Sequence, residues 1–344
     1  MPGPDRRTLL AGGLAVLAGC SAPSPTPAPT PSTASPTPTP TLTPTIAPVP
    51  PHEEFTAMTW NILSGTRTAG DFNRLAPARP VHFGKRLPVL ARWITDADSD
   101  ILAVQENEPM GAPVHFPLRA LMPLLPAFSA VYADSDVPIL FRKGRFGLKR
   151  GGVTTISERN LRRRCSWAVL TSSESGNDFL VANTHLDPGM NHRMDVIRKT
   201  SLAVIADLLT RLNPDGELPV MLLGDFNART HRTGPDRTTS VFDPLVRMGL
   251  VNSWDITRAD LSVVPSAATL NGLGTEVRGR WTYGALRHDG YTIDYVWCGP
   301  GIDVSSWQVV TGPGVRDLDG QPFFAAGPVP SDHCPVLVKV AVPF

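Results

Sequence analysis

Carboxylates, amides and imidazoles recur in this chain where short apolar runs stop. Trp60-Asn61 ends one run, Gln105-Glu106 a second, and Asn183-Thr184-His185-Leu186-Asp187 a third. Gly224-Asp225-Phe226-Asn227 follows Val220–Leu223, Ile293-Asp294-Tyr295 lies within a run, and Ser331-Asp332-His333 opens the last. Such residues bind hard cations, take protons from water or hand them to a leaving group. Placed at strand ends, they suit a site built on a rigid sheet. Other chemistries lack their motifs. No Cys-x-x-Cys or His-Glu-x-x-His argues for zinc, and neither a Gly-x-Ser-x-Gly elbow nor a Walker phosphate loop is present.

Each motif alone has an ordinary explanation. Asn61 starts a turn, Glu106 is an exposed carboxylate, Gly224-Asp225-Phe226-Asn227 holds three turn formers, Asp332 caps a bend before Pro335, and His185 is half-buried and satisfied. The six blocks together are harder to explain that way.

The elements that must position them are mostly strands. Strand-like runs are Phe55–Ile62, Ile101–Gln105, Val131-Tyr132, Pro138–Phe141, Ser166–Thr171, Phe179–Thr184, Val220–Leu223, Thr292–Trp297, Trp307–Val310 and Pro335–Val342. Helical spacing marks Leu87–Asp96, Val241–Met248 and, most clearly, Arg193–Leu212, where Ile197, Ser201, Ile205, Leu208 and Leu212 share a face. Many strands with few helices point to a layered α/β or α+β fold.

Residues 1–20 read as an export signal: Arg6-Arg7, a short apolar stretch, then Leu17-Ala18-Gly19-Cys20. The last four resemble a bacterial lipobox, which implies lipid on Cys20. Arg6-Arg7-Thr8-Leu9-Leu10 also resembles a twin-arginine signal. Residues 21–52 are rich in Pro, Thr and Ser, with proline at nearly every second position over much of the segment. That composition favours extended polyproline II, a tether reaching roughly 100 Å. The expected product is a cell-envelope lipoprotein, membrane-anchored through Cys20, with residues 53–344 as one domain outside the cytoplasmic membrane. Across the chain 32 basic residues balance 31 acidic ones, which excludes a highly basic nucleic-acid-coating protein. Hydrophobic content of 42% excludes a wholly disordered chain.

From Phe55 to the end the chain resembles the endonuclease/exonuclease/phosphatase superfamily, which includes deoxyribonuclease I, exonuclease-III-type enzymes, neutral sphingomyelinases and inositol-polyphosphate phosphatases. All six blocks stand in family order. Arg163-Arg164-Cys165-Ser166-Trp167 is similar to the family's Arg-x-x-x-Trp strand, and Gly249–Trp254 to the segment after its short helix. The resemblance implies a four-layer α/β sandwich, two packed mixed β-sheets flanked by helices. It also implies a Mg²⁺- or Mn²⁺-dependent phosphoesterase. A phosphodiester is already anionic, so its hydrolysis requires charge neutralisation, an oriented water and protonation of the leaving oxygen. By resemblance, Glu106 is the principal metal ligand with Asn61 beside it, and Asp332 is a second or water-mediated ligand. Asp225 accepts the proton of the attacking water and Asn227 orients it. Asp294 and His333 form a carboxylate–imidazole pair, the histidine donating to a phosphoryl oxygen or acting as base. His185 stabilises developing charge or assists leaving-group protonation.

Two departures stand out. Where phospholipase-like members carry Thr-Phe-His-Gly-Phe, this chain has Thr269-Leu270-Asn271-Gly272-Leu273. Where deoxyribonuclease I has a glutamate supporting its first catalytic histidine, this chain offers Asp136. Arg162-Arg163-Arg164 reads as a solvated strand edge, with Arg163 a candidate substrate contact. The remaining histidines lack carboxylate partners at motif spacing. Cys165, Cys298 and Cys334 read as buried free thiols, with a Cys298–Cys334 bridge as the alternative. The expected substrate is a phosphodiester, nucleic acid or phospholipid headgroup, acted on by a monomer without a protein partner. A nuclease-type phosphodiesterase leads. The rivals are a sphingomyelinase/phospholipase-C-like headgroup hydrolase, with Pro322–Pro330 as a loop reaching the bilayer, and a non-catalytic surface binding lipoprotein.

Overall fold

The computed structural model describes residues 52–65, 83–110, 115–189, 191–229, 241–257, 269–270, 292–310 and 330–344, and the backbone of strands at 275–277, 280–282, 316–318 and 321–324. Cys20, nearly all of the tether, His82, His231, His288, Asn271-Gly272-Leu273 and residues 325–329 lie outside them.

One six-stranded sheet contains β1 (His52–Asn61), β2 (Ile101–Gln105), β3 (Phe128–Val131), β4 (Ile139–Arg142), β13 (Asp303–Val309) and β16 (Val336–Pro343), in the order β13-β16-β1-β2-β4-β3. The other contains β5 (Phe146–Thr155), β6 (Arg164–Ser172), β7 (Asp178–His185), β8 (Val220–Asp225), β9 (Val251–Asn252) and β12 (Asp294–Cys298), in the order β5-β6-β7-β8-β12-β9. A small third sheet orders β10 (Thr275–Val277), β11 (Arg280–Thr282), β15 (Gln321–Phe324) and β14 (Arg316–Leu318). It takes up the first part of the segment read as a bilayer-reaching loop. The helices are α1 (Phe83–Ala97), α2 (Pro117–Leu121), α3 (His192–Leu212), α4 (Asp243–Arg247) and α5 (Ser253–Ile256).

The central strands read as continuous apolar runs because both of their faces are covered. On β1, Phe55 and Ala57 enter the core between the large sheets, while Met58 and Trp60, with Ile62 just beyond the strand, turn outward beneath α1. On β8, Met221 and Leu223 point inward and Val220 and Leu222 pack outward toward α3. Leu90, Ala91, Trp93 and Ile94 of α1 and Leu202, Ile205 and Leu209 of α3 close the two outer layers. The result is the four-layer sandwich.

Among the described residues no helix is long and apolar enough to cross a membrane. The three described cysteines, Cys165, Cys298 and Cys334, are buried and form no disulfide. Cys298 lies in the core between the sheets and Cys334 in the layer beneath α1, so the bridge between them is absent. Strand β5 escaped the sequence reading because it is an exposed edge: after Phe146 its residues are exposed or half-buried, so no apolar run marks it.

Candidate active site

Strand direction gathers the six motifs. β1 and β2 are parallel, with Asn61 opposite Gln105, and β7 and β8 are parallel, with His185 opposite Asp225. Parallel pairs need crossovers, which α1 and α3 lie within. β12 runs antiparallel to β8 and places Asp294 opposite Asp225. β16 runs antiparallel to β1, so the segment entering it, Ser331–His333, returns to the same end. A buried amide pair ties the sheets together there. Gln105 Nε2 donates to Asn183 Oδ1 (2.7 Å), and Asn183 Nδ2 donates to the carbonyls of Val104 and Pro138 (2.8 Å each).

Glu106 stands at the mouth of this arrangement, partly exposed. The Ser64 N–H donates to its Oε2 (2.7 Å) and Asn61 Nδ2 to its Oε1 (3.1 Å). The same Asn61 amide donates to Asp225 Oδ2 (3.0 Å), while its Oδ1 accepts from the Leu63 N–H (3.0 Å). Asn61 therefore spans the Glu106 and Asp225 carboxylates and orients both. Asp225 Oδ1 accepts from the Asn227 N–H (2.8 Å), and Asn227 Nδ2 donates to Leu186 O (3.0 Å). His333 Nδ1 and Asp294 Oδ2 share a hydrogen bond of 2.9 Å, and His333 Nε2 lies 3.8 Å from Asp225 Oδ2. His185 Nε2 lies 3.5 Å from the same oxygen. Asp225 thus stands between two imidazoles, one of them backed by a carboxylate.

Two further features hold the arrangement. A Cβ on Gly224 would collide with the Thr184 carbonyl, so only glycine lets β8 approach β7 closely enough at this point. Leu63, Glu106 and Asn227 all have left-handed backbones (φ 58°, 61° and 48°). Such strain persists only where the surroundings over-determine the conformation.

The electrostatics differ between the imidazoles. Burial lowers the pKa of His333, but Asp294, Asp225 and the Asp294 hydrogen bond together outweigh it and hold the ring well above its ordinary value. Burial pushes His185 well below its ordinary value, and the charges of Arg163 and His333 push it the same way. Burial, then the Asp294 charge, raises Asp225 to about 7. Burial raises Asp332 and the neighbouring Glu106 charge adds to it. Two hard carboxylates that repel one another at a partly exposed site fit a divalent cation of the Mg²⁺ or Mn²⁺ type. Asp225, Asp294 and His333, whose ligand-type atoms lie within 4.8 Å of one another, form a second group of metal-binding character.

Arg163 is partly buried and its Nε has no hydrogen-bond partner. Its charge acts on both His185 and Asp136. Asp136 is largely buried and makes no hydrogen bond to His185; its side chain pairs with Ser135 Oγ. Sequence reasoning missed Arg86, enclosed behind the site, and Thr269, whose Oγ1 accepts from the Ile293 and Asp294 N–H groups (2.9 and 3.3 Å). Thr269 was visible only as part of an unmatched motif. Arg86 lies one residue before the helix read from the sequence.

The sequence profile of the Endonuclease/Exonuclease/phosphatase family matches residues 58–333, and the chain belongs to that family. It is accordingly a hydrolase of the phosphoesterase class. No curated protein matches the sequence. Among solved structures, an endonuclease/exonuclease/phosphatase family protein from Bacteroides thetaiotaomicron superposes with a TM-score of 0.61 at 21% identity, covering 85% of this chain and 99% of that one. A mannosyl-6-phosphatase from the same organism gives 0.59 at 21%, covering 83% and 99%. D. rerio TDP2 complexed with a single-strand DNA product gives 0.55 at 13%, covering 83% and 98%. At these identities the likeness establishes the shared fold.

Proposed function

We propose that the protein is a divalent-metal-dependent phosphodiesterase of nuclease type. The observation that carries this reading is the chain Asp294–His333–Asp225, set across Asn61 from Glu106. Glu106 and Asp332 would hold the cation, with Asn61 orienting Glu106. When bound, the cation supplies charge neutralisation at the phosphoryl oxygens. Asp225 takes a proton from a water whose oxygen bonds to phosphorus, while the bond from phosphorus to the leaving oxygen breaks. Asn227 fixes the Asp225 carboxylate through its backbone N–H. His333, kept protonated by Asp294, donates from Nε2 to a phosphoryl oxygen. His185, kept neutral by burial beside Arg163, offers a hydrogen bond at the same oxygens, and Arg163 binds the phosphate. The leaving oxygen is reprotonated from solvent.

Support for a diester comes from the TDP2 neighbour, crystallised with a DNA product. A phosphomonoester is the second reading, favoured by the mannosyl-6-phosphatase neighbour. The lipobox ending at Cys20 and the proline-rich segment support an enzyme anchored outside the cytoplasmic membrane. Cys20→Ala is expected to release it from the membrane fraction.

The test uses the full chain with plasmid DNA, bis-p-nitrophenyl phosphate, a sugar phosphomonoester and sphingomyelin vesicles. Each is assayed with Mg²⁺, Mn²⁺ or EDTA, beside His333→Ala. Metal-dependent cleavage of the two diesters, lost in the variant, is the expected result. Turnover confined to the monoester or the vesicles overturns the nuclease reading.

A further inference from the structure

Arg86 on α1 is fully enclosed, yet its side chain belongs to no motif of the site. Its Nη1 donates to the carbonyls of Ile62 (2.6 Å) and Pro330 (2.8 Å), and its Nη2 to those of Leu63 (2.8 Å) and Ser64 (3.2 Å). These acceptors lie on two segments far apart in sequence, and each continues directly into the site. The first carries the Ser64 N–H that holds Glu106 and the Leu63 N–H that holds Asn61. The second carries Ser331, whose hydroxyl donates to Asn61 O (2.6 Å) and accepts from the His333 N–H (3.1 Å), with Asp332 between them.

We propose that Arg86 is a positioning residue for the cation site, locking residues 62–64 to residues 330–333 and thereby setting Glu106 against Asp332. The inference rests on the metal-dependent reading above. A guanidinium suits such a clamp because its planar fork directs N–H groups at several carbonyls at once, whereas an ammonium has three tetrahedral donors. The clamp also explains how Leu63 keeps a left-handed backbone, because both its carbonyl and its N–H are engaged. Burial lowers the Arg86 pKa to about 10, which leaves it charged at neutral pH and opposed to the mutual repulsion of Asp332 and Glu106. Arg198 provides an internal comparison. It is equally enclosed, donates to the Asp187 and Gly189 carbonyls (2.9 and 2.7 Å) and pairs with Asp195, so it clamps the loop after His185 instead.

The test is Mn²⁺ titration by calorimetry on the full chain, with near-UV circular dichroism to establish folding. Arg86→Lys is expected to weaken Mn²⁺ binding by ~10–100-fold, the usual scale for residues that support metal ligands. Arg198→Lys should leave Mn²⁺ affinity within about threefold. Unchanged affinity in Arg86→Lys, or equal losses in both arginine variants, overturns the proposal. Glu106→Gln is the control, expected to lose binding outright. If Glu106→Gln binds Mn²⁺ normally, the metal reading itself falls. Arg86→Gln, expected to show the same ordering, replaces the lysine variant if that variant does not fold.

Discussion

The two halves of the site are built from the same parts and differ in what stands beside their carboxylates. In the β1/β2 half, Glu106 and Asp332 are partly exposed, and a buried arginine from the covering helix holds the loops behind them. In the β7/β8 half, Asp225, Asp294 and His185 are buried, buried His333 reaches them from the segment entering β16, and the buried arginine of that half's helix holds the loop beyond His185. The neighbours decide the difference. Asp332 lies in the field of a second carboxylate, Glu106, an arrangement that a cation relieves, whereas Asp225 lies between two imidazoles. A parallel strand pair followed by a clamped loop can therefore serve either purpose, according to whether a second carboxylate or an imidazole faces it.

The largest expected effect tests that division directly. Glu106→Gln and His333→Ala should each lower phosphodiester turnover by at least ~10²–10⁴-fold. They should separate in calorimetry, with Mn²⁺ binding lost in the first and retained in the second. Loss in both would mean that the halves are a single metal centre.

Metal removal is expected to matter next. At 100 times its Kd, a cation bound only to the folded chain adds about 2.7 kcal/mol. EDTA should remove that increment of stability from the unsubstituted protein, read as a lower Tm, and leave the Tm of Glu106→Gln unchanged. Gln105→Ala tests the seam between the halves. It leaves Asn183 Oδ1 without its donor inside the core, a loss of about 1–3 kcal/mol readable as a lower urea midpoint.

The smallest effect concerns Asp136. Burial raises its pKa to about 6 against the opposing charges of Arg163 and Arg164. The folded chain keeps a proton there that the unfolded chain releases, so the associated stability is lost as pH rises from about 4 to about 6. Asp136→Asn, neutral at every pH, should be more stable than the parent at pH 7.5, on the order of 1 kcal/mol, and equal to it near pH 4. Thermal melts at the two pH values read the difference.

Much of this architecture is legible in the residues alone. The runs at Ile101–Gln105, Phe179–Thr184 and Val220–Leu223 are apolar on both faces, a property of the chain that requires covering layers on each side. Their polar terminators, from Asn61 to His333, name the chemistry because few residue types can bind a hard cation or move a proton. Strand β5 was hidden because an exposed edge needs no apolar pattern, and Arg86 because a charged residue beside a helical stretch reads as a solvated one. Convergence belongs to the tertiary structure. Only parallel pairing across α1 and α3, and the antiparallel return of β12 and β16, bring residues more than 200 positions apart within a few ångströms. The proton states were likewise decided there, because the field acting on His185 or His333 depends on which charges the fold encloses beside it, and residue type carries no record of those neighbours.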